Sequence, residues 1–246
     1  MKKYVALILC ILLFGSLTAC QNTKKPDSQG EVKEDVESSD STESAGSTEN
    51  TENSESESSG FKTLVAYFAY SENVGDTSGM EVDAITSASL NSKTNNTEGN
   101  LQVMAQVIEE KTGADVFHIL MTEPYDMDYS TMLPVAVEQM NNGEHPSLQE
   151  NISNLEEYDV IFIGMPVWNA ELPPAMQTLF AEHDFSGKTI VPFGIHLGSR
   201  FGRIIDQIKE LEPEAEVAEG FTINAGTSND DVRSEFGEWL DGLSLE

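Results

Sequence analysis

Five short apolar runs divide the chain from Phe61 onwards, and an amphipathic stretch follows each of them. This alternation is typical of strand–helix–strand units, in which a parallel sheet lies between two layers of helices. It predicts an α/β domain with a doubly wound, three-layer architecture and a five-stranded parallel sheet. The predicted strands are residues 63–68, 115–120, 159–164, 189–194 and 216–224.

Apolar residues recur at three- and four-residue spacing between these runs, and this spacing predicts five helices. Gly113 and Gly143 stand where two of the helices should stop, because glycine readily adopts the left-handed conformation of a helix end. Pro173 and Pro174 suit the first turn of another. The predicted helices lie at residues 101–108, 131–141, 172–180, 204–211 and 230–243.

The first 20 residues have the layout of a bacterial export signal, with Lys2 and Lys3 before an apolar run. Leu17-Thr18-Ala19-Cys20 resembles the lipobox of bacterial lipoproteins, in which cleavage precedes a cysteine that becomes joined to diacylglycerol. We therefore expect residues 1–19 to be a signal peptide, Cys20 to be lipidated, and the protein to lie outside the cell, anchored to the cytoplasmic membrane. An ordinary signal peptide with a chance cysteine is the alternative.

Residues 20–60 consist largely of Ser, Thr, Glu, Asp and Asn. Such a composition cannot bury enough apolar surface to fold, so it predicts a disordered acidic tether ahead of a domain at 61–246. The whole chain has 43 acidic and 13 basic residues, a net charge of −30. This charge argues against nucleic acid as a partner, because nucleic acid binding needs clustered cations.

The loops after the third and fourth predicted strands are the best candidates for a ligand site, since ligands bind beyond the carboxyl ends of parallel strands. Trp168 lies in the first loop between prolines, and three glycines lie in or beside the second. Two such loops could hold a planar heteroaromatic ring. The four scattered histidines have no metal-ligand spacing, and no catalytic Ser-His-Asp or paired-carboxylate pattern is present.

A polar insertion at about 71–98 separates the first strand from the first helix, and it is either a lid or a disordered segment. Ser71 and the run from Thr97 to Asn100 flank it. Hydroxyl groups and backbone N–H groups at a helix start can bind an anion without lysine or arginine. Neither Gly-x-Gly-x-x-Gly nor a P-loop follows the first strand, which disfavours a dinucleotide-binding domain and a P-loop NTPase.

Three stretches together resemble the flavodoxin family, most closely its bacterial flavodoxin-like lipoproteins. They are Leu64–Phe68, Tyr158–Trp168 and Asp184–Phe193 followed by His196–Ser199, in the family's order, and the resemblance extends over nearly all of 61–246. It implies the sheet order 2-1-3-4-5 and an FMN cofactor.

The resemblance also implies two sets of FMN-binding residues. Insertion into the family's Thr-Gly-Asn-Thr type of loop leaves open which of Ser71, Thr94 and Thr97 contacts the phosphate. Around the phosphate we expect Ser71, Thr97, Gly99, Asn100 and Leu101. Around the isoalloxazine ring we expect Pro166, Val167, Trp168, Asn169, His196, Leu197, Gly198, Ser199 and Phe201.

Several of these residues have a purely structural alternative. Trp168 either stacks on the ring or covers the core beneath a loop, and His196 either contacts the flavin or only bonds within its own loop. Asn169 stands where many relatives have a second aromatic residue. His118, within a predicted strand, is expected to be structural.

The sequence leaves three functions open. The first is an FMN-binding electron-transfer protein or oxidoreductase, with a redox partner protein or a quinone-like acceptor. The second is a binding module that has kept the fold, lost the cofactor and docks a protein partner. The third is a surface scavenger of flavin.

Overall fold

The computed structural model describes residues 60–74, 99–126 and 128–244. The predicted signal peptide, Cys20, the tether, Thr94, Thr97 and most of the insertion lie outside these residues. Helices and strands alternate along the described chain. Their bounds are β1 (Thr63–Tyr67), α1 (Asn100–Thr112), β2 (Asp115–His118), α2 (Tyr129–Asn142), β3 (Val160–Pro166), α3 (Pro174–Glu182), β4 (Thr189–His196), α4 (Ile204–Leu211), β5 (Glu216–Val217), β6 (Phe221–Asn224) and α5 (Asn229–Asp241).

The strands form one sheet in the order β2-β1-β3-β4-β5, with β6 also paired to β4, and every pairing is parallel. The predicted α/β class and the order 2-1-3-4-5 are therefore confirmed. The second predicted strand is at the edge and is shorter than expected, whereas β3 and β4 each extend two residues beyond the predicted ends.

The predicted fifth strand is interrupted. β5 pairs with the start of β4 and β6 with its end, and Ala218 to Gly220 lie between them. Gly220 has φ +72°, and a Cβ there would lie 2.1 Å from the carbonyl oxygen of Pro192. The chain thus passes the backbone of β4 too closely for a regular strand, and only glycine fits.

Both faces of the sheet are covered. On one face Leu64 and Ala66 of β1 pack in a core with residues of α2, α3 and α4. On the other face Val65 and Tyr67 pack with residues of α1 and α5. Opposite faces are used because successive residues of a strand point in opposite directions, which yields the predicted three layers.

The helix ends follow the predicted signals. Gly113 and Gly143 are left-handed, with φ of 69° and 65°, and close α1 and α2. Pro173 is the N-cap of α3 and Pro174 its first residue. In the part of the chain that the structure describes, no helix is long and apolar enough to cross a membrane.

Candidate functional site

The carboxyl ends of β1, β3 and β4 meet at one edge of the sheet. Phe68 N–H bonds to the Gly164 oxygen across β1 and β3, and Val167 N–H bonds to the Ile195 oxygen across β3 and β4, at 2.9 and 2.8 Å. The helix that follows β1, α1, lies on one face of the sheet, and the helix that follows β3, α3, lies on the other. This divergence opens a crevice at the place where such sheets bind ligands.

One end of the crevice, which we call the anion end, consists of the turn at Tyr70–Glu72 after β1 and the first turn of α1. Asn100, the first residue of α1, is fully buried. Among the described residues, neither its amide oxygen nor its amide nitrogen has a hydrogen-bond partner, and the buried Ser71 Oγ also lacks one. Unsatisfied buried polar atoms are uncommon in native proteins and usually have a reason.

Gln102 caps the start of α1. Its Oε1 accepts the Gly99 N–H at 2.8 Å, and its Nε2 donates to Glu72 Oε1 at 2.7 Å. The next three N–H groups, those of residues 100–102, have no acceptor within the helix, as in any α-helix. The anion end therefore offers helix N–H groups beside the buried Asn100 amide.

Glu72 is the centre of a hydrogen-bonded group. Tyr67 Oη donates to Glu72 Oε1 at 3.1 Å, and His118 Nδ1 lies 3.2 Å from both carboxylate oxygens. Burial, reinforced by the Glu72 carboxylate, raises the pKa of Tyr67 far above its ordinary value. Tyr67 is therefore a permanent donor, and His118 contacts its ring at 4.9 Å between centroids.

Asn73 holds the turn after β1 in place. Its Nδ2 donates to the oxygens of Ala69 and Ile119 at 2.9 and 3.0 Å, and its Oδ1 accepts the Met121 N–H at 2.7 Å. Its own carbonyl accepts the Tyr125 N–H. Asn73 is 2% exposed, so water does not compete for these hydrogen bonds. They therefore tie the anion end rigidly to the loop after β2.

The other end of the crevice, which we call the ring end, consists of residues 166–170 and 196–201. Trp168 is 3% exposed. Its ring lies 5.6 to 5.9 Å from the rings of Phe68, Tyr70 and Tyr125, in edge-to-face contact with each. In this conformation Trp168 is part of the core, and stacking on a flavin stays a prediction that ligand binding must test.

The backbone of the ring end is strained. Asn169, Ala170 and Arg200 have φ of 52°, 61° and 51°, which few residues other than glycine adopt. A Cβ on Gly202 would lie 2.4 Å from the Ala170 oxygen, and Arg203 N–H donates to that oxygen. The loops after β3 and β4 are thus packed against each other.

His196 ends β4, and its Nδ1 accepts the Gly198 N–H at 2.8 Å. Burial and, second, the Arg200 guanidinium lower the pKa of His196 below its ordinary 6.5. The imidazole is therefore neutral at pH 7, and because Nδ1 is an acceptor, Nε2 carries the hydrogen. His196 therefore bonds within its own loop through Nδ1 and keeps an N–H donor at Nε2.

The predicted site residues divide between the two ends. Ser71, Gly99 and Asn100 come together at the anion end, whereas the Leu101 side chain is fully buried in the core and only its backbone remains available. The ring-end residues also come together, with Leu197 59% exposed. They are Pro166, Val167, Trp168, Asn169, His196, Leu197, Gly198, Ser199 and Phe201.

Sequence reasoning missed Glu72, Asn73 and Gln102. Gln102 has a detectable signal, since a glutamine three residues after a helix N-cap is part of the capping-box pattern. Asn73 was missed because two of its three side-chain partners are 46 and 48 residues away. Over the described ranges, no group of three or more His, Cys, Asp or Glu residues could hold a metal ion.

We compared the chain with known protein families and solved structures. A family model described as Flavodoxin matches residues 91–242. A protein assigned as a flavoprotein from Bacteroides uniformis is 22% identical, with a TM-score of 0.54, and the match covers 74% of this chain and 99% of that one. One from Bacteroides eggerthii is 23% identical, with a TM-score of 0.51 and coverage of 76% and 99%.

A third structure is a flavoprotein from Lactobacillus acidophilus in complex with FMN, 16% identical with a TM-score of 0.46 over 70% of this chain and 97% of that one. A comparison with curated proteins finds no match. At 22% and 23% identity, the likeness to the two Bacteroides structures shows the fold.

Proposed function

The chain belongs to the flavodoxin family, and we propose that it is an FMN-binding electron-transfer protein or oxidoreductase on the outer face of the cytoplasmic membrane. The bound isoalloxazine ring would supply the chemistry, which is the uptake and release of electrons. The residues of this chain would bind it, orient it and shield it from water.

The buried hydroxyl of Ser71 and the buried amide of Asn100 carry this proposal. Their three polar atoms have no partner among the described residues. Leaving a buried polar group unsatisfied costs about 1–3 kcal/mol, so their retention at the edge of the sheet favours a ligand that bonds to them. A phosphate group fits the two donors among these atoms, because its oxygens accept hydrogen bonds from the Ser71 hydroxyl and from the Asn100 Nδ2 group.

The start of α1 supports the same ligand. The free N–H groups of its first turn and the helix dipole favour negative charge. Its first turn also contains no acidic residue. A phosphate would thus be held by neutral donors, in agreement with the predicted anion site that needs neither lysine nor arginine.

The ring end supports a planar heterocycle. The exposed Leu197 offers an apolar surface, and the neutral His196 offers a donor at Nε2. Trp168 would contact the ring only after its loop moves away from Tyr70 and Tyr125. The strained backbone at Asn169 and Ala170 is a suitable place for such a movement, because strain lowers the barrier to an alternative conformation.

Titration of the purified full chain with FMN and with riboflavin tests the proposal. We expect FMN to bind and its fluorescence to be quenched, with riboflavin, which lacks the phosphate, binding at least about tenfold more weakly. A colourless protein that ignores added FMN would instead support the binding module that has lost its cofactor. Equal affinity for both flavins would exclude the anion end as a phosphate site.

The net charge of the chain bears on which electron partners can dock to it. With a net charge of −30, a redox partner protein that docks electrostatically should be basic, and a small quinone-like acceptor is the other candidate. Rapid oxidation of added NADH or NADPH by the loaded protein would indicate a reductase. Reduction only by a basic protein donor would indicate a carrier.

The location is tested separately. We propose that Cys20 carries a diacylglycerol thioether, which the Leu17-Thr18-Ala19-Cys20 sequence supports. Replacement of Cys20 by serine should move the protein from the membrane fraction to the medium or leave it uncleaved, and it should abolish labelling by a radioactive fatty acid. Continued labelling would contradict the anchor.

A further inference from the structure

The first turn of α1 contains no acidic residue, in a chain that has 43 of them. Asp128, by contrast, is the N-cap of α2, Asp206 lies in the first turn of α4, and Asp230 and Asp231 lie in that of α5. The first turn of α3 has no acidic residue either. Carboxylates are favoured at helix starts because they face the positive end of the helix dipole. α1 therefore lacks a stabilisation that α4 and α5 have.

Gln102 keeps the first turn of α1 neutral at a position where a charged residue could also cap the helix. It occupies the third helical position, where glutamine and glutamate are both able to accept the N–H of the N-cap residue. Its Oε1 accepts the Gly99 N–H at 2.8 Å. A glutamate would make the same bond and add a favourable charge to the helix, but it would also place that charge at the anion end.

Glu72 fixes the orientation of the Gln102 amide. A carboxylate only accepts hydrogen bonds, so the NH₂ group of Gln102 must face Glu72, and the carbonyl group is left to face Gly99. Glu72 itself is held by Tyr67 Oη and His118 Nδ1, and its side chain is 16% exposed. The negative charge thus lies one hydrogen bond further from the helix start than a capping glutamate would.

The fully buried Asn100 shows that this helix start is prepared for a ligand. Its amide has no partner among the described residues, although it belongs to the same turn that Gln102 caps. A neutral cap and an unused buried amide at one turn both favour an anionic group.

We propose that Glu72 and Gln102 are positioning residues that cap α1 without a charge and thereby select a phosphate-bearing ligand over its phosphate-free analogue. This inference deepens the proposed function and rests on it. It concerns residues 72 and 102, which do not themselves need to touch the ligand.

Exchange of the two side chains separates the structural role from the electrostatic one. In the double variant Glu72→Gln with Gln102→Glu, the amide now at position 72 can donate to the carboxylate now at position 102, which still accepts the Gly99 N–H. We expect the urea midpoint of the exchanged protein to match that of the wild type, and its FMN affinity to fall about tenfold or more. The loss should shrink as salt is added, and riboflavin affinity should not change.

A pair of single variants covers the case in which the exchanged protein does not fold. Gln102→Glu keeps the cap and adds a charge, whereas Gln102→Leu removes the cap and adds no charge. Gln102→Glu should therefore weaken FMN binding more than Gln102→Leu does. Asp231→Asn, at the third position of α5, is the matched control and should leave FMN affinity unchanged.

Three results would overturn the inference. They are an exchanged protein that is stable and binds FMN as the wild type does, equal losses of affinity in Gln102→Glu and Gln102→Leu, and a loss that salt does not alter. A wild-type protein that binds no FMN would instead overturn the proposed function, and this inference with it.

Discussion

The two ends of the crevice differ in how far they are prepared for a ligand. At the anion end, the Ser71 hydroxyl and the Asn100 amide are buried without a partner among the described residues, and Asn73 holds the turn rigidly through three side-chain bonds. At the ring end, Trp168 is already packed against Phe68, Tyr70 and Tyr125. The anion end thus has polar atoms still open to a ligand, whereas the Trp168 ring at the ring end is already packed against other side chains of the protein.

This difference indicates an order of events. Under the proposed function, a phosphate would meet unpaired polar atoms at the anion end as it stands, whereas contact between Trp168 and a flavin ring would need the loop at residues 167–170 to move. Binding affinity should thus depend mostly on the anion end, and the conformational change should be confined to the ring end. Substitutions at each end can test this contrast.

Trp168→Ala should have the largest effect, and it should be on stability. Removal of a buried tryptophan costs about 3–5 kcal/mol, so the urea midpoint should fall sharply. Trp239→Ala is the control, because Trp239 is only half-buried and lies on α5. A tenfold loss of FMN affinity with an unchanged midpoint would show that Trp168 serves the ligand instead of the core.

Asn73→Ala should be next. It removes three hydrogen bonds and leaves the Met121 N–H buried without an acceptor, for an expected loss of about 2–4 kcal/mol. Urea unfolding measures this loss, and Asn142→Ala, at an exposed position, should change stability little. If the two variants unfold alike, the turn after β1 is not held by Asn73.

Asn100→Leu should affect binding and not folding. The replacement keeps the approximate volume and removes polar atoms that have no partner among the described residues, so stability should be unchanged or higher. FMN affinity should fall about 10- to 100-fold, the value of one or two lost bonds to a charged group. Ser228→Ala, at the N-cap of α5, should show the reverse pattern, with lower stability and normal affinity. Unchanged FMN affinity in Asn100→Leu would contradict the anion end.

The smallest effect concerns His196 at the ring end. The pKa of His196 is lower in the folded protein than its ordinary value of 6.5. As the pH falls, the unfolded chain therefore takes up the proton at a higher pH than the folded protein does. The stability that depends on neutral His196 is complete above pH 6.5 and declines as the pH falls below it. His196→Gln should remove this part of the acid sensitivity in urea unfolding followed between pH 7 and 5. An identical pH profile in the variant would show that His196 is not responsible.

Much of the fold could be predicted because its signals are local. Gly113, Gly143 and Pro174 mark helix ends through their own backbone preferences, and the buried strands appear as apolar runs. The break at Gly220 could not be predicted, because it depends on the approach of Pro192, which lies 28 positions away in the sequence.

The site was predicted less completely for the same reason. Ser71 and Asn100 were identified from their place beside a strand end and a helix start. The hydrogen bond between Glu72 and Gln102, which lies at the same end of the crevice, joins residues 30 positions apart. Likewise, the burial of Trp168 depends on Tyr125, which belongs to the loop after an edge strand.

The interrupted fifth strand has a consequence for self-association. An exposed strand at the border of a sheet presents unpaired backbone groups to which a second molecule can add its own strand, a common route to aggregation. Here that border consists of strands of two and four residues, separated by a tight bend at Gly220. Within the described part of the chain, no long straight border is available on that side, so neighbouring copies should remain separate even at high local concentration.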